Sequence, residues 1–236
     1  MIPLRDSVRT QSWPVVTWAL IAVNVWVFLF EVSLGPAVEA LIETWGFVPA
    51  RYFLLAQVEP AAWLDRFLPL LTSMFLHGGW MHLIGNMVYL WIFGDNVEDR
   101  LGHGRYLTFY LLTGLGAGLA HAYLHPDSLI PSVGASGAIS GVLGGYLMLL
   151  PRARVVALVP LLFLPYIVEL PAVVYIGFWF LMQFVSGTLA WAMAPDASGV
   201  AWWAHVGGFV AGVALTLAVG QRRSYPRIWA DQFASR

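Results

Sequence analysis

The stretch SVGASGAISGVLGGYLML, from Ser132 to Leu149, decides the fold because it places hydroxyls and glycines in a run that is otherwise apolar. Ser136 stands between Gly134 and Gly137, and a second hydroxyl follows at Ser140. Glycine permits an unusual turn and the close approach of another chain. The N-terminus of a helix also offers free N–H groups with partial positive charge. The stretch therefore predicts a membrane helix that begins beside a serine open to close contacts.

The amino-acid composition places the chain in a membrane. Of its 236 residues 59% are hydrophobic and 11% are charged, with a mean hydropathy of +0.73, whereas soluble domains carry about 25% charged residues. Cysteine is absent, which excludes disulfides, thiolate metal sites and a cysteine nucleophile. The net charge of −1 and the lack of a basic run predict no nucleic-acid partner. The opening MIPLRDSVRTQSW has no cleavage site, so we expect no signal peptide.

Six segments are apolar over a length that approaches the roughly 20 residues of a membrane-crossing helix. They are residues 14–32, 80–100, 105–124, 135–150, 172–193 and 200–220. Residues 33–79 mix acids with apolar residues at near-helical spacing, which favours helices lying on the membrane surface. Pro160 and Pro165 interrupt the run Val155–Val168, which suits a re-entrant or surface-lying connection better than a seventh span. We expect an all-α, polytopic membrane protein with six transmembrane helices.

The arginines predict the orientation of this bundle. All 12 basic residues are arginine, and six spans with a cytoplasmic N-terminus leave only Arg51 and Arg66 on the outer side. The remaining ten fall inside: Arg5, Arg9, Arg100, Arg105, Arg152, Arg154, Arg222, Arg223, Arg227 and Arg236. This excess follows the positive-inside rule. Both termini are therefore predicted to be cytoplasmic, with a long interfacial loop between the first two helices.

Three spans that are far apart in sequence begin with polar groups at the outer face. The second contains His77, His82 and Asn86, the fourth contains Ser136, and the sixth contains His205. Polar and ionisable residues inside a membrane are costly and usually mark function. A lone asparagine or serine more often only joins helices, and Ser140 is expected to do no more. The shared depth of the others favours a reactive site.

Two glycine-bearing faces predict how that site assembles. Gly137 on the fourth span and Gly208 and Gly212 on the sixth let two helices pack backbone to backbone. Such packing would bring Ser136 and His205 within hydrogen-bond reach, as a nucleophile and its base. We expect no carboxylate in the spans at that depth, and hence a dyad rather than a triad. The soluble-hydrolase motif G-x-S-x-G does not apply, because no glycine stands two residues after the serine and no strand precedes it.

These motifs resemble those of the rhomboid family of intramembrane serine proteases. The sequence G-A-S-G at 134–137 is similar to its nucleophile motif, and H-V-G-G-F-V-A-G at 205–212 is similar to its base helix. The second-span signature is matched by His77, His82, Asn86, Gly94, Glu98 and Gly102. Each motif alone is weak, but the ordered set is specific and covers nearly the whole six-helix core.

The resemblance implies a role for each matching residue. Ser136 would be the nucleophile, His205 the general base, and the Ser136 N–H with His82 and Asn86 the oxyanion hole. Structural motif positions would be His77, Gly134, Gly137, Glu98, Gly102, Gly208 and Gly212. By itself, Glu98 would be read as an ordinary solvated residue. Residues 1–236 would form a single protease domain, with no cofactor and no metal.

The resemblance also implies an endopeptidase that works through an acyl-enzyme on membrane-spanning protein substrates. A substrate helix must unwind locally before its carbonyls can be attacked, so we expect cleavage near its outer end, at small or helix-weakening residues. The fifth span would be the side gate. We expect an integral, multi-pass protein of a prokaryotic plasma membrane, in contact with the lipid bilayer and of undetermined oligomeric state.

Two departures from the family pattern are visible. Leu68 and Pro69 stand where many members have Trp-Arg, so the anchoring of that loop is expected to differ. Ser140 replaces a tyrosine that packs on the base in some members, which leaves its hydroxyl as a candidate to position His205.

Two alternative functions remain open on the sequence alone. The five histidines expected near the outer face could bind or transport a metal, because imidazole is a common zinc ligand. They are His77, His82, His121, His125 and His205. The chain could also be an inactive relative that binds membrane helices, although the presence of both Ser136 and His205 favours an enzyme.

Overall fold

A computed structural model describes residues 1–161, 164–193 and 200–219. Its ten α-helices within those residues are α1 Val15–Ser33, α2 Val38–Trp45, α3 Pro49–Val58, α4 Trp63–Thr72, α5 Trp80–Tyr89, α6 Asp95–Leu101, α7 His103–Leu124, α8 Ser136–Leu149, α9 Ala172–Met193 and α10 Trp202–Val219. Three strands complete the fold: β1 Ile2–Asp6, β2 Arg154–Leu161 and β3 Leu164–Pro171. Gly220 and the four arginines from Arg222 onward, which entered the predictions, lie outside the described residues.

The chain is an integral membrane protein of mainly helical structure. Among the described residues, four helices have the length and apolar composition to cross a membrane: Val15–Ser33, His103–Leu124, Ala172–Ala190 and Trp202–Val219. The segments Trp63–Phe75 and Trp80–Leu101 meet that test only as a pair, with an 82° bend between them, and Ser136–Leu149 is a shorter apolar helix. The count of six spans therefore stays a prediction.

Helices α5 and α6 form one continuous rod. A π-helical turn, Leu90–Gly94, joins them without a break, and the rod ends where Gly102 adopts φ +81°, a conformation that favours glycine. Helix α7 begins at the next residue, His103.

The expectation of an entirely helical chain is wrong for residues 2–6, 154–161 and 164–171, which are strands. Strands β2 and β3 form an antiparallel hairpin, and β1 pairs with β2 to complete a three-stranded sheet. The hairpin forms because small or β-branched residues alternate toward the bundle: Val155 and Ala157 are fully buried while their neighbours are not. The prolines that interrupt a helix face each other here across the end of the hairpin, as the pair Pro160 and Pro165. Strand β3 then leads directly into α9.

A buried carboxylate, that of Glu98, links two helices at the end of the bundle that contains the sheet. Glu98 is fully buried and accepts the backbone N–H groups of Val16 at 2.9 Å and Thr17 at 2.8 Å. These are free donors in the first turn of α1, so Glu98 caps that helix from a neighbouring one. Its Oε1 also contacts His103 Nδ1 at 2.6 Å, and its Oε2 accepts the Thr17 hydroxyl at 2.7 Å. Glu98 is therefore not the solvated residue that its charge suggests.

Helices α8 and α10 touch backbone to backbone. A Cβ added to Gly208 would overlap the carbonyl oxygen of Gly137, and one added to Gly212 would overlap that of Gly141. Small residues alone permit this approach. The packing expected from the two glycine faces is present, and it sets the distance between the N-terminal turns of both helices.

Candidate active site

Ser136 and His205 meet where α8 and α10 begin. Ser136 is the first residue of α8, and its Oγ lies 2.8 Å from His205 Nε2, on the first turn of α10. Gly134, two residues earlier, has φ +124°, a region that L side chains rarely adopt. This turn directs the Ser136 hydroxyl out of its own helix and toward the imidazole.

The second ring nitrogen of His205 identifies the tautomer. Nδ1 lies 2.8 Å from Oε1 of Gln183, on α9. An amide oxygen only accepts hydrogen bonds, so a hydrogen bond at this contact requires the tautomer with the proton on Nδ1. Nε2 is then unprotonated and accepts a hydrogen bond from the Ser136 hydroxyl. The imidazole thus has its free lone pair on the serine, as a general base requires.

Two indole rings border the same imidazole. The ring centroid of Trp179 lies 6.2 Å from that of His205, with the planes 38° apart, and Trp202 meets it edge-on at 6.3 Å. Trp179 and Gln183 are four residues apart and therefore share one face of α9. Helix α9 and the start of α10 therefore each place an aromatic ring beside His205.

The suggestion that Ser140 positions the base is wrong. Its hydroxyl donates to the backbone carbonyl of Ser136 at 2.6 Å, within its own helix. A serine inside a helix commonly makes this bond to the carbonyl four residues back. Ser140 is fully buried between helices, which agrees with the expectation of a small interface residue.

His82 lies over the turn that precedes Ser136. A Cβ on Gly134 would lie only 2.8 Å from His82 Nε2, so a side chain there would displace the ring. The Gly78 N–H donates to His82 Nδ1 at 3.4 Å, which leaves the proton on Nε2. One turn further along α5, Asn86 is buried, and its Nδ2 has no hydrogen-bond partner among the described residues. His82 and Asn86 line the same cavity as Ser136, so both are candidate hydrogen-bond donors there.

A carboxylate does lie at this end of the bundle, contrary to expectation. Glu31 is buried near the end of α1 and accepts the backbone N–H of His77 at 3.1 and 3.2 Å. Because α1 extends to Ser33, residue 31 reaches the level of the histidines. Glu31 holds the loop before α5, and the His77 ring packs edge-on against His82 at 5.2 Å. It is Gln183, an uncharged group, that contacts the base.

These side chains line one cavity of about 680 Å³. Its walls include Ser136, His205, His82, Asn86 and Gln183. Two histidines at the C-terminal end of α7 also border it, His121 in the last turn and His125 just after the helix, with ring centroids 5.1 Å apart. In the described part of the chain, no group of three or more His, Cys, Asp or Glu side chains is arranged to hold a metal ion.

Sequence reasoning missed Gln183 and Trp179. The signal was present, because Gln183 is the one amide side chain in α9, AVVYIGFWFLMQFVSGTLAWAM. A polar side chain in an apolar span is costly and commonly marks a functional contact, as it does for the histidines. No motif contains Gln183, and the position of α9 beside α10, which creates the contact, is known only from the fold.

The chain matches one family model and is similar to several known proteins. The family model described as Rhomboid domain matches residues 64–222, well over half of the 236-residue chain. The chain is similar to Rhomboid protease GluP of Bacillus subtilis, with 36% identity over 60% of this chain and 26% of the relative. It is similar to RHOMBOID-like protein 4 of Arabidopsis thaliana, with 32% identity over 69% of this chain and 36% of the relative. Rhomboid protein 1, mitochondrial, of Saccharomyces cerevisiae is 27% identical over 83% of this chain and 51% of the relative. The chain thus spans between a quarter and a half of these relatives.

Proposed function

The chain belongs to the rhomboid family, and on that premise we propose that it is an intramembrane serine endopeptidase with Ser136 as nucleophile and His205 as general base. The observation that carries the proposal is the 2.8 Å contact between Ser136 Oγ and His205 Nε2, in a ring whose Nδ1 is engaged elsewhere. A nucleophile within hydrogen-bond reach of an oriented base is the arrangement that covalent catalysis needs.

The proposed reaction proceeds in two stages. The Ser136 oxygen attacks a substrate carbonyl carbon while His205 Nε2 takes the hydroxyl proton. The tetrahedral intermediate collapses when the peptide C–N bond breaks and His205 returns that proton to the leaving amine, which gives an acyl-enzyme. A water molecule, deprotonated by His205, then releases the new carboxyl end by the same route.

The developing negative charge on the carbonyl oxygen needs donors beside Ser136. The proposed donors are the Ser136 backbone N–H, His82 Nε2–H and Asn86 Nδ2–H. The unpartnered amide of Asn86 and the closeness of the His82 ring to Gly134 support this assignment. Because the site is an open cavity lined by polar groups, water can reach it.

The proposed substrates are membrane-spanning segments of other proteins, cleaved near the outer face where the helix is weakened. An intact helix keeps its carbonyls hydrogen-bonded, so local unwinding must precede attack. The extent of a single domain over residues 1–236 remains a prediction.

The decisive experiment is cleavage of a single-span model substrate by the purified protein in liposomes. We expect Ser136→Ala and His205→Ala to abolish cleavage and labelling of the protein by a fluorophosphonate. Ser140→Ala is the matched control, since it removes a hydroxyl one turn away and should keep most of the activity. An inactive helix-binding relative would bind the substrate without cleaving it, and a metal protein would purify with bound metal.

The six-span topology and the prokaryotic plasma membrane are also proposed. The arginine distribution supports the orientation, whereas relatives named as mitochondrial or chloroplastic leave the compartment to be tested. Because the chain has no cysteine, single substitutions give clean labels. In intact bacterial cells a membrane-impermeant maleimide should label Gln57→Cys and should label Arg152→Cys only after permeabilisation. The reverse pattern would invert the topology.

A further inference from the structure

We infer that Gln183 is a positioning residue for His205, an uncharged third member of the site that fixes the tautomer and orientation of the base. The inference rests on the proposed function and goes beyond the dyad, because no carboxylate is involved. Gln183 is buried, with 9% of its surface exposed, and its Oε1 lies 2.8 Å from His205 Nδ1.

The contact determines which ring nitrogen of His205 carries the proton. A neutral imidazole carries its proton on either nitrogen, and only the form with the proton on Nδ1 can accept the Ser136 proton at Nε2. The Gln183 carbonyl selects this form, because the other tautomer would set a lone pair against the carbonyl oxygen. When the ring becomes positively charged during attack, the same bond becomes charge-assisted and strengthens. The contact therefore stabilises the transition state more than the resting enzyme.

The position of Gln183 on the fold supports a dedicated role. Trp179, one turn earlier on the same face of α9, covers the His205 ring, so one helix supplies both the polar partner and the packing surface for the base. A purely structural glutamine would join helices without regard to which nitrogen it meets. Two readouts separate these roles, the tautomer of His205 and the pH dependence of acylation.

The test compares three variants of the full chain in detergent. Gln183→Leu removes the acceptor at similar size, Gln183→Glu offers a charged acceptor, and Thr188→Val removes a polar group elsewhere on α9 as a matched control. The rate of Ser136 labelling by a fluorophosphonate is measured against pH, together with cleavage of the model substrate and thermal unfolding. Two other titratable side chains interact electrostatically with His205, namely His82 and His121, and both stay unchanged in every variant.

We expect Gln183→Leu to lower the labelling rate and kcat by on the order of 10- to 100-fold with little change in KM, as loss of one charge-assisted hydrogen bond predicts. Gln183→Glu should recover much of that rate and move the acid limb of its pH profile to higher pH, because a carboxylate favours the protonated ring. Thr188→Val should behave as the unsubstituted protein. The ¹⁵N spectrum of histidine-labelled protein should show the His205 proton on Nδ1, and Gln183→Leu should lose this preference.

Two results would overturn the inference. One is an unsubstituted protein with the His205 proton on Nε2. The other is a folded Gln183→Leu variant that keeps the normal rate and pH profile. If Ser136→Ala still cleaves substrate, the proposed function itself fails. If Ser136→Ala is inactive while Gln183→Leu is unaffected, only the role of Gln183 is refuted.

Discussion

Replacing Gly208 with alanine should separate α8 from α10 and move His205, the proposed base, away from Ser136, the proposed nucleophile. The added methyl group would overlap the Gly137 carbonyl oxygen, which belongs to backbone and cannot rotate away. Restoring ordinary van der Waals contact requires the two helices to move apart by about 1 Å. Ser136 precedes Gly137 directly, so the 2.8 Å contact with His205 would lengthen beyond hydrogen-bond distance.

The magnitude follows from two separate costs. Overpacking in a rigid core typically costs 1–3 kcal/mol, and because no rotamer relieves a clash with backbone, we expect about 3 kcal/mol here. A displacement of about 1 Å between reacting groups can lower the rate by ~100-fold. Gly208→Ala should therefore unfold at a lower temperature and also label Ser136 roughly 100-fold more slowly.

The matched control is Gly177→Ala on α9, where an added Cβ would meet no atom within 4 Å. Alanine is the better helix former, so this variant should match the unsubstituted protein or gain about 0.5–1 kcal/mol. Both variants are compared by thermal unfolding in detergent and by the rate of fluorophosphonate labelling. Equal stability and equal labelling in the two alanine variants would refute the role of backbone contact in assembling the site.

Three further predictions concern other contacts. Asn86→Ala should lower kcat by about 10²–10³-fold with KM nearly unchanged, because the proposed oxyanion hole would lose one donor. Steady-state cleavage measures this, and an unaltered kcat would exclude Asn86 from that role. Glu98→Ala should lower the free energy of unfolding by roughly 3–5 kcal/mol, since several hydrogen bonds to one buried carboxylate disappear together. Thermal unfolding tests this prediction. A loss of stability no greater than that of Glu39→Ala, at an exposed position, would contradict it. Burial raises the pKa of Asp6 to about 6 from the usual 3.8, so the folded state holds a proton that the unfolded state releases between those values. Its contribution to stability is full below pH 3.8 and is lost as pH rises through about 6; unfolding temperatures from pH 4 to 7 should depend less on pH in Asp6→Asn, and an identical pH dependence would refute this.

The positions of most helices were predictable from apolar length and from glycines. Helix α9 has the predicted bounds, and α8 begins at Ser136, one residue after the predicted start. The glycine faces also led to the contact between Ser136 and His205, because close packing leaves few arrangements for two helix ends. These features depend on local composition and on simple helix geometry.

The remaining features depend on partners that are distant in sequence. The run from Val155 to Val168 was ambiguous because its prolines argue against a helix without naming a strand partner. The strand β1, which pairs with β2 and completes the sheet, lies about 150 residues earlier in the chain. Glu98 looks solvated until the start of α1 is placed against it. Gln183 belongs to no motif, so only the approach of α9 to α10 reveals its contact with the base.

The two ends of α8 serve different purposes, and their separation is useful for engineering. Ser136 opens the helix at the cavity, while Tyr146, ten residues later and about 15 Å along the axis, donates its hydroxyl to Asp6 in β1 at 2.6 Å. Substitutions that far apart usually act independently on stability. Tightening the anchorage at the sheet could thus offset the harm done by redesigning the cavity for new substrates, without touching a reacting atom.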